Sequence, residues 1–425
     1  MNEFDTKHIW HPYSPTPQEN IVVDRGQGSL IFTRDGRTII DGVSSWWVNI
    51  HGHCNEKISA AIAEQAKVLE HVIFAGFTHQ PAIDLSEKLL QILPGKMSKI
   101  FFSDDGSTSV EAALKMAIQY FQNNGQVDKK RIIAIDGAYH GDTFGAMSVG
   151  QRSAFTKPFN TYLFDVEFIK FPHESSEQET LQQFEEIVKN GDVAAFIYEP
   201  LLQGVAGMRT YSVEVLSKLM GISNSAGVLN IADEVMTGFG RTGRNFASDY
   251  LPTAPDIICL SKGITGGYLP LGVTACNSLV SNQFEGSDAA RMFFHGHSYT
   301  ANPLACAAAN ASLEILLSES CQFLIKNIAE QHANFAKSLD DHPAVNKINQ
   351  IGTILSIEIK TGNESTYFDN IRHNIYSYFL SKNILLRPLG NILYILPPYV
   401  ITNSELSCIY NSILEFLNEY KNKNI

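Results

Sequence analysis

The chain has 425 residues, 44% hydrophobic and 18% charged, and its 32 basic against 44 acidic side chains give a formal net charge of −12. That balance excludes a disordered or collagen-like chain, and the absence of any basic cluster argues against nucleic acid as a partner. A chain this long buries a large core and divides it between domains.

In chain order, the start lacks both a basic leader and an apolar leader, which predicts a cytoplasmic protein. His11-Pro12-Tyr13 precedes a short alternating run at 30–33 that reads as a strand. Residues 55–70 carry Ile58, Ile62, Ala66 and Leu69 at helical spacing. From residue 99 onward short apolar strands alternate with helices, with strand candidates at 99–102, 131–135, 194–198, 228–232 and 257–260. Each alternates poorly, as strands buried on both faces do, and this predicts an α/β domain with a mostly parallel sheet. An Ala-rich helix is predicted at 304–317. Asn310 and Glu314 interrupt it, so it falls short of a membrane span and no membrane partner is expected. Beyond it, long helices alternate with strands near 353–359 and 393–396. The expected division is an N-terminal segment, 1–50, that joins a smaller α+β domain at 306–425, with a large domain at 51–305. Six cysteines, Cys54, Cys259, Cys276, Cys306, Cys321 and Cys408, show no CxxC spacing and are expected to be reduced, buried thiols.

Two motifs mislead. Gly238 to Gly243 matches the dinucleotide fingerprint, but Asp233 to Thr237 separates it from the strand and no apolar helix opens from it, so it reads as a Gly-rich turn. His51-Gly52-His53 and His295-Gly296-His297 lack further ligands at a recognisable spacing, so no metal is expected.

A more coherent signal lies at strand ends. Asp105-Gly106-Ser107-Thr108 follows one strand candidate and precedes a helix, with Thr108 and Glu111 at capping-box spacing. Free N–H groups at a helix start suit a phosphate, and Gly106 allows close backbone approach. Asp233 ends a second strand candidate and Lys262 follows a third. If those strands are parallel neighbours, acid and amine emerge at one sheet edge. An acid, an amine and an anion cradle together are what pyridoxal 5'-phosphate requires.

At this point the chain resembles the class III (subgroup II) aminotransferases of pyridoxal-phosphate fold type I. The likeness covers nearly the whole chain, on Asp41-Gly42 with Trp46-Trp47, Asp105-Gly106-Ser107, Tyr139-His140-Gly141, Glu199-Pro200, Ala232-Asp233-Glu234, Gly238 to Gly243, Ser261-Lys262-Gly263 and Asn302-Pro303. A narrower likeness is to family members of biotin biosynthesis. It rests on Ile9 to Tyr13, Ser44 to Trp47, Tyr139 to Ser148, and Arg387-Pro388 with Tyr394 and Pro397-Pro398-Tyr399. The resemblance implies a ping-pong transaminase that converts 8-amino-7-oxononanoate to 7,8-diaminononanoate, with S-adenosyl-L-methionine as donor. Lys262 would bind the cofactor covalently and shuttle the proton, and Asp233 would pair with the ring nitrogen. Gly106 and Ser107 would hold the phosphate, and Tyr139 would stack on the ring. Ser298 would reach the phosphate of a neighbouring subunit, which implies a homodimer with shared sites. Tyr13, Trp46 and Tyr139 would surround the substrate, with Gly296 and Tyr394 lining the same pocket and Asp142 and Arg241 as further pocket residues. Arg387 would grip a carboxylate. Some family members carry Pro-Thr where this chain has His297-Ser298; the hydroxyl is kept while the wall changes. Lysine as donor, an ω-amine, GABA or ornithine aminotransferase, an aminomutase and a non-catalytic cofactor-binding protein are the alternatives.

Overall fold

The computed structural model describes residues 3–14, 19–361 and 371–423. Near the N-terminus, β1 (Val23–Gln27), β2 (Leu30–Thr33) and β3 (Thr38–Asp41) form an antiparallel meander. After it come β4 (Met97–Ser103), β5 (Arg131–Ile135), β6 (Glu167–Ile169), β7 (Val193–Tyr198), the short hairpin β8 (Leu202–Gln203) and β9 (Arg209–Thr210), β10 (Leu229–Asp233), β11 (Ile257–Leu260) and β12 (Gly272–Asn277). Seven of these build one sheet in the order β4-β12-β11-β10-β7-β5-β6.

Within that sheet β12 alone runs antiparallel to its neighbours, β4 and β11. The sequence reading found no strand there. The link from β11 to β12 is too short for the helical crossover that a parallel neighbour needs, so the chain returns in the opposite direction. The remaining neighbours pair in parallel, and every residue of β7, β10 and β11 is buried. Successive residues on these strands face opposite layers. Ile132 and Ala134 pack under the helix Gly106–Asn123 with Val110, Ala113 and Ala117. Ile133 and Ile135 face the other layer, with Phe184 of the helix Glu177–Val188 and Leu216 and Leu219 of the helix Val213–Ser225.

The helix expected at 55–70 spans Glu56–Ala66, capped by the Asn55 side chain, which accepts from Lys57 N and Ile58 N. The Ala-rich helix is Pro303–Leu316; Ala308 and Ala311 let it approach Ile58 closely. Towards the C-terminus β13 (Val345–Ile351), β14 (Ile354–Ile359) and β16 (Ile392–Ile395) form a small antiparallel sheet, while β15 (Ile384–Leu385) joins β3 in parallel. The expectation of buried cysteines needs a correction. All six are free thiols, but only four are buried; Cys54 and Cys408 are exposed. Among the described residues no helix is long and apolar enough to cross a membrane.

Candidate active site

A cavity of about 400 Å³ opens at the carboxyl edge of the large sheet. β10 and β11 are parallel with Asp233 level with Cys259, so Asp233 ends its strand beside the point where the chain leaves β11 for Lys262. Both line the cavity, with Gly106, Ser107, Tyr139, His140, Glu199 and Trp47. Lys262 has a φ of 45°, a left-handed conformation that costs an L-residue about 1–2 kcal/mol. Its amine lies 4.6 Å from the centre of the Trp47 ring. Enclosure pushes the Lys262 pKa below the ordinary lysine value, against the opposing pull of Asp233 and Glu199.

Asp233 is held from two sides. His140 Nδ1–H donates to Oδ2 at 2.7 Å, and Val235 N–H donates to Oδ1 at 3.0 Å. Glu199 accepts from Tyr139 N–H at 3.1 Å and Gly204 N–H at 2.9 Å. Burial raises its pKa to about 7, with Asp233 adding to the rise and His140 opposing it. Burial also raises the Tyr139 hydroxyl well above its ordinary range, so it stays protonated.

The helix over the cavity floor starts at Gly106, and its capping box is not the expected Thr108–Glu111 pair. Asp105 is the cap: its side chain accepts from Thr108 N–H at 2.8 Å, and Thr108 Oγ1 accepts from Asp105 N–H at 3.0 Å. Glu111 instead binds Thr143, Gly145 and Ala146. Gly106 packs on Val235, where any Cβ would come within 2.8 Å of a methyl carbon. Among the described residues the Gly106 and Ser107 N–H groups have no hydrogen-bond acceptor. Two free amides at the positive end of an 18-residue helix form an anion cradle. Ser107 Oγ accepts from Asp142 N–H at 3.1 Å, which leaves the hydroxyl proton free to donate. A buried amine, a buried acid and this cradle fit pyridoxal 5'-phosphate on the residues present.

The profile of the family "Aminotransferase class-III" matches residues 13–417. The chain belongs to the class-III aminotransferases. An adenosylmethionine-8-amino-7-oxononanoate aminotransferase of Synechococcus elongatus is 46% identical over 422 residues, covering 97% of this chain and 99% of that one. The same-named protein of Helicobacter pylori is 34% identical over 430 residues, covering 98% and 97%. Among solved structures, the adenosylmethionine-8-amino-7-oxononanoate aminotransferase of Methanocaldococcus jannaschii superposes with a TM-score of 0.92 at 34% identity, covering 98% of each chain. An amine transaminase of an uncultivated Pseudomonas species, in its PLP-bound form, gives 0.89 at 30% identity, covering 96% and 97%. The chain is thus a pyridoxal-phosphate-dependent aminotransferase with the α/β fold type I architecture.

Five of the residues singled out from the sequence, Gly106, Ser107, Tyr139, Asp233 and Lys262, line the class-III cavity together. Tyr13, Trp46, Asp142 and Arg387 form a second cluster beside it. The Tyr13 hydroxyl donates to Asp142, the Tyr13 and Trp46 rings are 5.9 Å apart, and the Arg387 guanidinium lies 4.6 Å over Trp46. Arg387 has no carboxylate partner among the described residues.

Two assignments need correction. Tyr394 does not line the cavity; it is buried behind Trp47, whose indole N–H donates to its hydroxyl at 3.1 Å. Arg241 is also fully buried, donating from Nη1 to Pro397 O at 2.8 Å and from Nη2 to Trp47 O at 3.2 Å, so it braces the wall and does not line this cavity. Gly296 and Ser298 lie outside this cavity's lining, on an exposed segment. On the same segment His297 Nδ1 lies 3.2 Å from Asp104, which does line the cavity.

Trp47, His140 and Glu199 were not among the residues singled out. His140 and Glu199 sat inside quoted motifs, yet only their burial beside Asp233 and Lys262 reveals a role. Of the tryptophan pair, Trp47 enters the cavity while Trp46 stays 41% exposed. The turn that separates them is unusual. Ser44, Ser45, Trp46 and Trp47 have φ values of 51°, 44°, 72° and 77°. Four successive left-handed residues with side chains cost about 1–2 kcal/mol each, so the surrounding structure must hold them.

Proposed function

We propose that this aminotransferase converts 8-amino-7-oxononanoate to 7,8-diaminononanoate in biotin biosynthesis, in the cytoplasm, with S-adenosyl-L-methionine as amino donor. The observation that carries the reading is the full-length likeness, at 46% identity, to a protein of that name, combined with a cavity that joins Lys262, Asp233 and a free helix N-terminus. Bound pyridoxal 5'-phosphate supplies an aldehyde that takes up amines and a ring that withdraws electrons from the carbon bearing the amine.

The chain's own groups divide the remaining work. The lowered pKa of Lys262 leaves more of its amine neutral, which suits it both to bond the cofactor and to take a proton from the substrate carbon and return it. Asp233, fixed by His140 and Val235, would hold a proton on the ring nitrogen. Gly106, Ser107 and the helix dipole would bind the phosphate. Tyr139 would flank the ring. Arg387, without a carboxylate partner among the described residues, is free to take the substrate's carboxylate, and Trp46 with Tyr13 offers apolar surface for its aliphatic body. Asp142 accepts the Tyr13 hydroxyl.

The working unit in this reading is a homodimer with shared sites. Ile73, Phe77, Met292, Phe294 and Tyr299 are all more than half exposed, and the ring of Tyr299 meets His71 at 5.3 Å. The two segments touch there, and their exposed apolar side chains would suit a second copy, with exposed Ser298 next to Tyr299.

Complementation of a biotin auxotroph that lacks this one step tests the assignment, with growth expected. The donor is tested separately, by single-turnover conversion of the cofactor to its aminated form with each amine alone. Reaction with lysine and none with S-adenosyl-L-methionine would reverse the donor and leave the acceptor untouched.

A further inference from the structure

The left-handed turn from Ser44 to Trp47 contains no glycine, so nothing in its own residues favours it. Ser44 Oγ donates to Leu396 O at 2.8 Å and Trp47 is bonded to Tyr394 and Arg241, while the start and middle of the turn are tied down by Asp41, whose carboxylate is fully buried. Oδ1 accepts from Val43 N–H at 3.2 Å and Ser45 N–H at 2.9 Å. Oδ2 accepts from Ser45 Oγ at 2.7 Å and His53 Nε2 at 2.9 Å. Beyond the turn, the Asn49 amide donates to His53 Nδ1 at 2.8 Å, which leaves Nε2 as the protonated nitrogen facing Asp41. The residues before and after the turn therefore converge on one carboxylate.

We propose that Asp41 is a positioning residue for the substrate wall. Through the turn it directs Trp47 into the cavity and Trp46 towards Tyr13 and Arg387, while touching neither. The effect on substrate rests on the reading of Trp46 and Trp47 as that wall; the effect on the turn does not.

The test uses the holoenzyme with Asp41→Ala, Ser45→Gly and the double variant. Glycine accepts a positive φ without strain, and once Asp41 is gone Ser45 Oγ has no bond to that carboxylate left to lose. Asp41→Ala is expected to weaken the near-ultraviolet tryptophan circular dichroism and to raise KM for the amino ketone about tenfold, with a smaller change in kcat. The visible cofactor band should persist, because Lys262 and Asp233 are intact. Adding Ser45→Gly should restore much of both signals, which a loss of general packing would not allow. If Asp41→Ala does not fold, Asp41→Asn with and without Ser45→Gly gives the same comparison. An unchanged dichroism and KM in the Asp41 variant, or no recovery on adding glycine, overturns the positioning role. A dichroism that falls and recovers while KM stays fixed, with KM also fixed in Trp46→Ala and Trp47→Ala, overturns the substrate-wall reading instead.

Discussion

The carboxyl of Glu199 gives a pH test of how the cavity wall is built. In the folded chain burial raises its pKa from 4.5 to about 7. Between those values folding leaves the group protonated while unfolding releases the proton, so stability falls as pH rises. The contribution of the neutral carboxyl is fully present below 4.5 and is lost by the time pH has passed 7. At about 1.4 kcal/mol per pH unit the whole loss is about 3 kcal/mol, of which about 2 kcal/mol falls between pH 5.5 and 8. Glu199→Gln removes the titration but turns an amide N–H towards Tyr139 N–H or Gly204 N–H, an unmet donor that costs about 1–3 kcal/mol at every pH. The slope, not the height, therefore carries the information. Urea unfolding of the cofactor-free protein at pH 5.5, 6.5, 7.2 and 8 should show the wild type losing ground to the Gln variant as pH rises. Groups remote from Glu199 are the same in both proteins and cancel in the difference. Parallel stability curves would show that Glu199 ionises in the wall as it does in water, and the argument from burial would be wrong.

Lys262→Ala should keep the fold and the cofactor's phosphate site while losing the visible band of the lysine-bound cofactor and all transamination; absorbance and a donor assay read both, and full activity would remove Lys262 from its role. Mixing that variant with Ser298→Ala should regain part of the activity under subunit exchange, since one of the two sites in the heterodimer keeps both residues. Proven exchange without recovery would count against shared sites. Asp105→Ala removes the capping box of the helix Gly106–Asn123 and should cost about 1 kcal/mol of stability with weaker cofactor binding, read by thermal unfolding and cofactor titration. An unchanged cofactor affinity would separate the cap from the phosphate cradle.

By itself the sequence determined the elements whose pattern is local. Residues 131–135 and 257–260 are strands with the bounds the sequence suggests, because a strand buried on both faces reads as a nearly continuous apolar run, broken here only by half-buried Arg131 at its start. The Ala-rich helix was legible for a similar reason, its small residues lying in one contiguous stretch, while its cap, the Asn302 side chain, became visible only in the structure. Asp233 and Lys262 could be paired from sequence only on the condition that their strands run side by side. What the tertiary structure decided depends on distance through space. It reversed β12, whose short connection excludes a crossover, and it split Trp46 from Trp47 through a left-handed turn held by Asp41. It also sent Arg241 and Tyr394 behind the wall they were expected to line, where the Tyr394 hydroxyl accepts from Trp47 and two Arg241 nitrogens donate to Trp47 O and Pro397 O. Glu199 shows the reason most plainly. A carboxylate next to proline carries no mark of its pKa; only enclosure away from water, with Asp233 nearby and against the pull of His140, raises it to about 7.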